Sequence, residues 1–233
     1  IWGWLEVGTD LEAREIIRFG AKEDVPILAN SPVDPDTQIA QYVSKQSRLL
    51  GIDPENIYYG STGRGTTGAA FARVFGSRVP VPIAEGDRPS SKPVRHDLFV
   101  RGEYGEKRLK RCDEEYARMN AELWFNVRHL VECDQLREFD EETCSEFALR
   151  EYMDNRSGKI ELEKKEDTRE RMGKSPDAAD AFSFGVFGAI DRGFKLGRIG
   201  YDVIEKEGDQ DFFDTEAKQY QDAVQAGLLK HDL

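Results

Sequence analysis

The stretch from Lys174 to Arg192 constrains the fold more than any other part of the chain. It reads Lys174-Ser175-Pro176-Asp177-Ala178-Ala179-Asp180-Ala181-Phe182 and then runs through Phe184, Val186, Phe187, Ala189 and Ile190, with almost no polar side chain before Asp191-Arg192. A helix this apolar on every side has to be packed inside a protein, with only its first turn reaching a cleft. Ser175 is a good cap residue and Pro176 suits the first helical position, where its missing N–H costs nothing. Asp177 and Asp180, three residues apart, share one face of that first turn. Paired carboxylates in such a place are candidate metal ligands and candidate catalytic groups. The plainer alternative is that Asp177 complements the helix dipole while Asp180 is solvated.

The rest of the chain reads as α/β. Arg14-Glu15-Ile16-Ile17-Arg18-Phe19 alternates and, with the text before a Gly8-Thr9-Asp10 turn, predicts an antiparallel hairpin. Residues 35–50 form an amphipathic helix, opened by Asp34-Pro35-Asp36 and closed by Gly51. Ile57-Tyr58-Tyr59, the loop Gly60 to Gly65 and the apolar positions Phe71, Val74 and Phe75 give strand, loop, helix. Val79, Val81 and Ile83 alternate with Pro80 and Pro82, which keeps that segment at a sheet margin. After an irregular stretch from Glu85 to Lys110, Tyr116, Met119, Leu123, Val127 and Leu130 predict one long helix from about Asp113 to Cys133. Phe139 and Phe147-Ala148 suggest a further helix or turn. Lys159 to Glu163 alternates as a strand, and Lys164 to Gly173 reads as a charged link before the apolar helix.

Charge and cysteine content narrow the functions available. The 233 residues carry a net charge of −12 with 33% charged residues. That balance argues against holding nucleic acid by bulk electrostatics alone, so any such contact must be local. The best local patch is Arg101, Lys107, Arg108, Lys110 and Arg111, for which a solvated loop is the competing explanation. Cys112, Cys133 and Cys144 lack C-x-x-C spacing and read as reduced thiols. His96, His129 and His231 are too scattered for a zinc site. No apolar run approaches the roughly 20 residues that cross a bilayer. Gly60 to Gly68 follows a strand and opens a helix, which admits a phosphate cradle, but neither a Walker A nor a dinucleotide fingerprint fits. The domain expectation is one unit over 1–200 and an acidic tail over 201–233.

Three segments together resemble the nuclease domain of the large terminase subunit of tailed double-stranded DNA viruses. They are Ile57 to Gly68, similar to the family's D-S-T-G-x-G element; Tyr116-Ala117-Arg118-Met119-Asn120 with Glu122-Leu123-Trp124; and Lys159 to Glu163 running through Lys164, Lys165 and Arg171 into Ser175 to Ala181. The resemblance implies an RNase H-like fold, a mixed five-stranded sheet flanked by helices. It also implies metal-dependent cutting of concatemeric viral DNA with two Mg²⁺ or Mn²⁺ ions held by carboxylates. Asp177 and Asp180 are the ligands it carries over to this chain. Implied partners are double-stranded DNA, a terminase ATPase domain, the portal and the small terminase subunit, in the host cytoplasm. Two features depart from the family. Gly60 stands where the family has Asp, and the text starts at what matches the family's second strand, so the first catalytic strand and its Asp are absent; Glu6 and Asp10 do not match that position. These departures imply, as the alternative function, a catalytically impaired module that holds DNA or docks the motor. Lys174 reads as a solvated residue at the helix start.

Overall fold

A computed structural model describes residues 1–61, 65–102 and 105–198. In chain order, β1 (Trp2–Thr9) and β2 (Glu15–Glu23) make the expected antiparallel hairpin. Asp10 closes it, its carboxylate accepting from the Glu12 and Arg14 amides. α1 (Pro35–Leu50) begins where the Asp34 carboxylate accepts from the Thr37 amide, and it ends at Gly51 with φ +69°, a left-handed conformation that glycine takes without strain. A short 3₁₀ turn, Pro54–Asn56, leads into β3 (Tyr58–Gly60), and α2 (Thr66–Phe75) follows the loop. β4 (Val81–Ile83) then pairs parallel with β3 in the register Gly60 to Ile83. β5 (Phe99–Arg101) and β6 (Lys107–Leu109) form a second antiparallel hairpin.

The long helix expected over 113–133 is broken. α3 (Cys112–Glu115) stops at Tyr116, which is extended and bridges to Ile160, and α4 (Met119–Glu132) starts afresh after Arg118. The interruption lets the Tyr116 side chain, 1% exposed, fill the core beside Phe125 and Leu162. β7 (Leu136–Arg137) pairs parallel with β2, and α5 (Glu141–Leu149) is opened by Asp140, whose carboxylate accepts from the Thr143 amide. β8 (Tyr152–Asp154) and β9 (Ile160–Leu162) make a third hairpin. The segment read as a charged link is instead α6 (Lys165–Met172). Its stability comes from ties rather than from an apolar stripe: Thr168 is fully buried and the Arg171 guanidinium binds the Glu163 carboxylate. α7 (Asp177–Asp191) completes the order.

The molecule is mixed α/β. Its sheet lies in two pieces, β2 between β1 and β7 in one and β3–β4 in the other. α7 packs against β1, β3, α4 and α5, so it touches both pieces. Phe182 and Val186 of α7 join Ile17, Phe19, Val127 and Leu130 in the central cluster, and each such side chain contributes about 1.5–3 kcal/mol by leaving water. Among the described residues no helix is long and apolar enough to cross a membrane, and the three cysteines are free. The acidic segment 201–233, His231 and residues 62–64 of the glycine loop lie outside the described residues.

Candidate active site

α7 opens at Asp177, with Pro176 as its cap residue; Ser175 makes no capping bond. The cap comes from elsewhere in the fold. Glu146 of α5, 3% exposed, accepts from the Ala179 amide at 2.9 Å through Oε2. Asp180 lies on the inner side of this turn, 8% exposed, and Asp177 is largely open to solvent. The first turn therefore holds one buried and one accessible carboxylate, and Asp180 is not the solvated group of the plainer alternative.

Two cations meet them. Lys165, at the start of α6, places Nζ on Oδ2 of Asp180 and 3.9 Å from Oδ1 of Asp177. Arg150, just past α5, is buried, lies 4.7 Å from the Trp124 ring and sets Nη1 at 4.0 Å from Oδ1 of Asp180. Among the described residues its Nε has no hydrogen-bond partner. Burial pushes the Asp180 carboxyl above the usual range, with Lys165 and Arg150 opposing. Glu85 is likewise raised by burial and by the neighbouring charge of Asp180. Burial pulls the Lys165 ammonium down, but contact with Asp180 more than reverses this.

Glu85 escaped sequence reasoning because it lies in a stretch without periodicity. The signal that finds it is the pairing of β3 with β4: Gly60 lies opposite Ile83, and the Ser61 amide donates to the Ile83 carbonyl at 2.8 Å, so Glu85 follows the C-terminal end of the neighbouring strand. Gly60 itself has little room for a side chain. A Cβ there would stand 3.1 Å from the Phe184 ring of α7.

Glu85, Lys165, Asp177 and Asp180 line one cavity of about 980 Å³ with the edges of both sheet pieces. Ile1, Trp2, Gly3, Trp4 and Leu5 of β1 and its lead-in, and all of Tyr58, Tyr59 and Gly60, border it. Successive residues of a strand point to opposite faces, so a run of consecutive lining residues means that the strand edge faces the cavity. Among the described residues β1 pairs only with β2 and β3 only with β4, so both of these edges are unpaired. Phe182, Phe184, Gly185 and Gly188 of α7 supply one wall, and Val43 of α1 and Phe71 of α2 contribute to the lining.

As a donor set, Asp177 and Asp180 offer hard carboxylate oxygens. These suit a single Mg²⁺ or Mn²⁺ that keeps several of its waters. Among the described residues no group of three His, Cys, Asp or Glu side chains is placed to hold an ion, so these residues do not form a two-ion centre by themselves.

The basic patch resolves into spent and available charge. Arg108 is bidentate to Glu114 at 2.7 and 2.9 Å, Lys110 contacts Glu115, and Arg111 binds Asp113. In the register of the β5–β6 hairpin, Phe99 faces Leu109 and Arg101 faces Lys107. Phe99, Arg101 and Lys107 are exposed on one face, with Lys107 Nζ 4.5 Å from the Phe99 ring centre. Lys174 is not simply solvated: its Nζ lies 2.7 Å from Glu142 and 3.0 Å from Glu146.

Fold and site together define a mixed α/β protein with a carboxylate pair lining a cavity bordered by two strand edges. No protein-family model matches the chain, and no curated protein does. Among solved structures the chain is similar to the nuclease domain of the large terminase subunit gp2 of bacterial virus Sf6, at 16% identity over 64% of this chain and 71% of that one, with a TM-score of 0.44. It is also similar to a mutant of that domain with manganese, at 15% identity over 64% and 72% of the two chains and a TM-score of 0.46. The mutant with calcium gives 15% identity, 64% and 71%, and 0.46.

Proposed function

We propose that this chain is the nuclease domain of a viral DNA-packaging terminase, a divalent-ion-dependent endonuclease acting on concatemeric double-stranded DNA. The observation that carries the reading is the first turn of α7, where Asp177 and Asp180 line the cavity in the sequence context that resembles the terminase element. Asp177 and Asp180 would hold Mg²⁺ or Mn²⁺, which when bound activates water and offsets the charge of the phosphorane. The protein's own groups prepare that place. Arg150 and Lys165 neutralise the buried carboxylate while no ion is present, and Lys165, half-exposed on its stem, is the group that yields to an incoming cation. The cavity bordered by the edges of β1 and β3 is suited to one further extended strand. Arg101 and Lys107 are the DNA-backbone contacts left available on the hairpin. The ATPase domain, portal and small terminase subunit are the partners this reading brings, in the host cytoplasm.

The test is nicking of supercoiled plasmid in Mn²⁺ by this chain, Asp177→Ala and Asp180→Ala. Ion-dependent nicking lost in both variants is the expected result, and nicking indifferent to both removes the reading. A second reading, an impaired module that holds DNA or docks the motor, is favoured by one observation: Phe184 fills the space beside Gly60 where the family has a carboxylate. Calorimetry separates the two. Mn²⁺ heats that differ between this chain and Asp177→Ala support the nuclease, and equally flat traces support the module.

A further inference from the structure

We infer that Glu146 is a positioning residue for the carboxylate pair, a buried cap supplied to α7 by a different helix; the functional half of this inference rests on the nuclease reading. An α-helix leaves its first amides without partners inside the helix, and α7 has no side-chain cap of its own. Pro176 cannot cap, and Ser175 stands too early. The Ala179 amide, the third of the helix and directly before Asp180, is bound instead by Oε2 of Glu146 at 2.9 Å. The other oxygen, Oε1, is 3.0 Å from Lys174 Nζ, just ahead of the helix. One carboxylate therefore grips both the approach to α7 and its first turn. A negative group at a helix N-terminus is also favoured by the dipole.

The grip is anchored from behind. Lys174 also binds Glu142, Glu142 binds Lys22 of β2 at 2.8 Å, and Lys22 binds Asp140 at 2.8 Å. Asp140 in turn caps α5, the helix that carries Glu146. The ion-paired chain runs from the sheet through α5 to the turn bearing Asp177 and Asp180. Glu146 is nearly excluded from water and does not line the cavity, so it acts through the backbone and touches neither ion nor substrate. A buried carboxylate is a costly thing to keep, and this one is held by the Ala179 amide and the Lys174 ammonium together.

Amide hydrogen exchange and Mn²⁺ calorimetry on the full chain test this with three substitutions. Glu146→Gln keeps an acceptor of the same reach, Glu146→Asp keeps the charge but is shorter by one carbon–carbon bond, about 1.5 Å, and Glu146→Ala removes both. For Ala and Asp the expected result is about tenfold faster exchange of the amides of 177–181 relative to those of α1, with Mn²⁺ affinity falling by a similar factor. Gln, which keeps an acceptor for the Ala179 amide but loses the pairing with Lys174, should fall between the parent and Ala in both. If Ala does not fold, Asp against Gln carries the comparison. Exchange in Asp equal to the parent, or acceleration spread evenly over α1 and α7, overturns the clamp. A parent chain that binds no Mn²⁺ removes the ion reading of Asp177 and Asp180 instead, while exchange still decides whether Glu146 holds the turn.

Discussion

Replacing Gly188 by Ala tests how closely α7 must approach the sheet. A Cβ at this position would lie 2.5 Å from two ring carbons of Tyr58 and 3.1 Å from a third. Carbon atoms settle at roughly 3.5–4.0 Å, so the ring would have to retreat by about 1 Å. Tyr58 is not free to do so: it belongs to β3, its hydroxyl lies 3.1 Å from Asp191, and its ring meets Phe187 edge-on at 6.4 Å. Overpacking of this kind costs about 1–3 kcal/mol. Alanine returns about 0.5–1 kcal/mol of helix propensity, which leaves a net loss near 1–2 kcal/mol. For a domain of this size that is a fall in Tm of about 3–8 °C. Gly185 is the internal control. Its Cβ would meet the tip of Leu5 at 2.8 Å, a flexible methyl that can turn away, so Gly185→Ala should stay within about 2 °C of the parent. Thermal unfolding followed by circular dichroism reads both variants. A Gly188→Ala protein as stable as the parent, or less damaged than Gly185→Ala, would refute the close-approach account.

Two further outcomes follow from the charge map. Removing Arg101 and Lys107 together should weaken double-stranded DNA binding and lower its log–log salt slope by about 1.8, two cations at about 0.9 each; Arg108→Ala and Arg111→Ala, already paired to carboxylates, should leave the slope unchanged in fluorescence anisotropy titrations. The Arg171 guanidinium holds the Glu163 carboxyl down to about 2. A carboxylate lowered on folding stabilises fully above its unfolded value near 4.3 and loses that contribution as pH falls toward 2. Urea unfolding between pH 5 and 2.5 should therefore show a shallower acid loss in Glu163→Gln than in the parent, and identical slopes would mean that the pair contributes nothing.

Elements that carry their own signals were legible in the sequence. α1 announces itself by Asp34 and Gly51, and both cap it as expected. The apolar run after Asp180 required a buried helix, and α7 is one. What failed was whatever depends on distant partners. Tyr116 fits a helical stripe equally well as a core residue at a break, and only its bridge to Ile160 decides. Lys165 to Met172 has no apolar face, so its helix is visible only once Arg171 finds Glu163. At the site, Asp177 and Asp180 were readable from i, i+3 spacing, whereas Glu85 depends on the register of β3 with β4, and Glu146 reads as an ordinary surface glutamate of a helix until α7 is laid beside it.

Among the described residues the edges of β1 and β3 are unpaired and leave main-chain amides and carbonyls beside a largely apolar chamber. Such groups do not tolerate vacuum. Main-chain groups of this kind call for hydrogen-bond partners along the whole edge. An open strand edge is a template for one more strand, so this chamber favours an extended main chain over a compact guest.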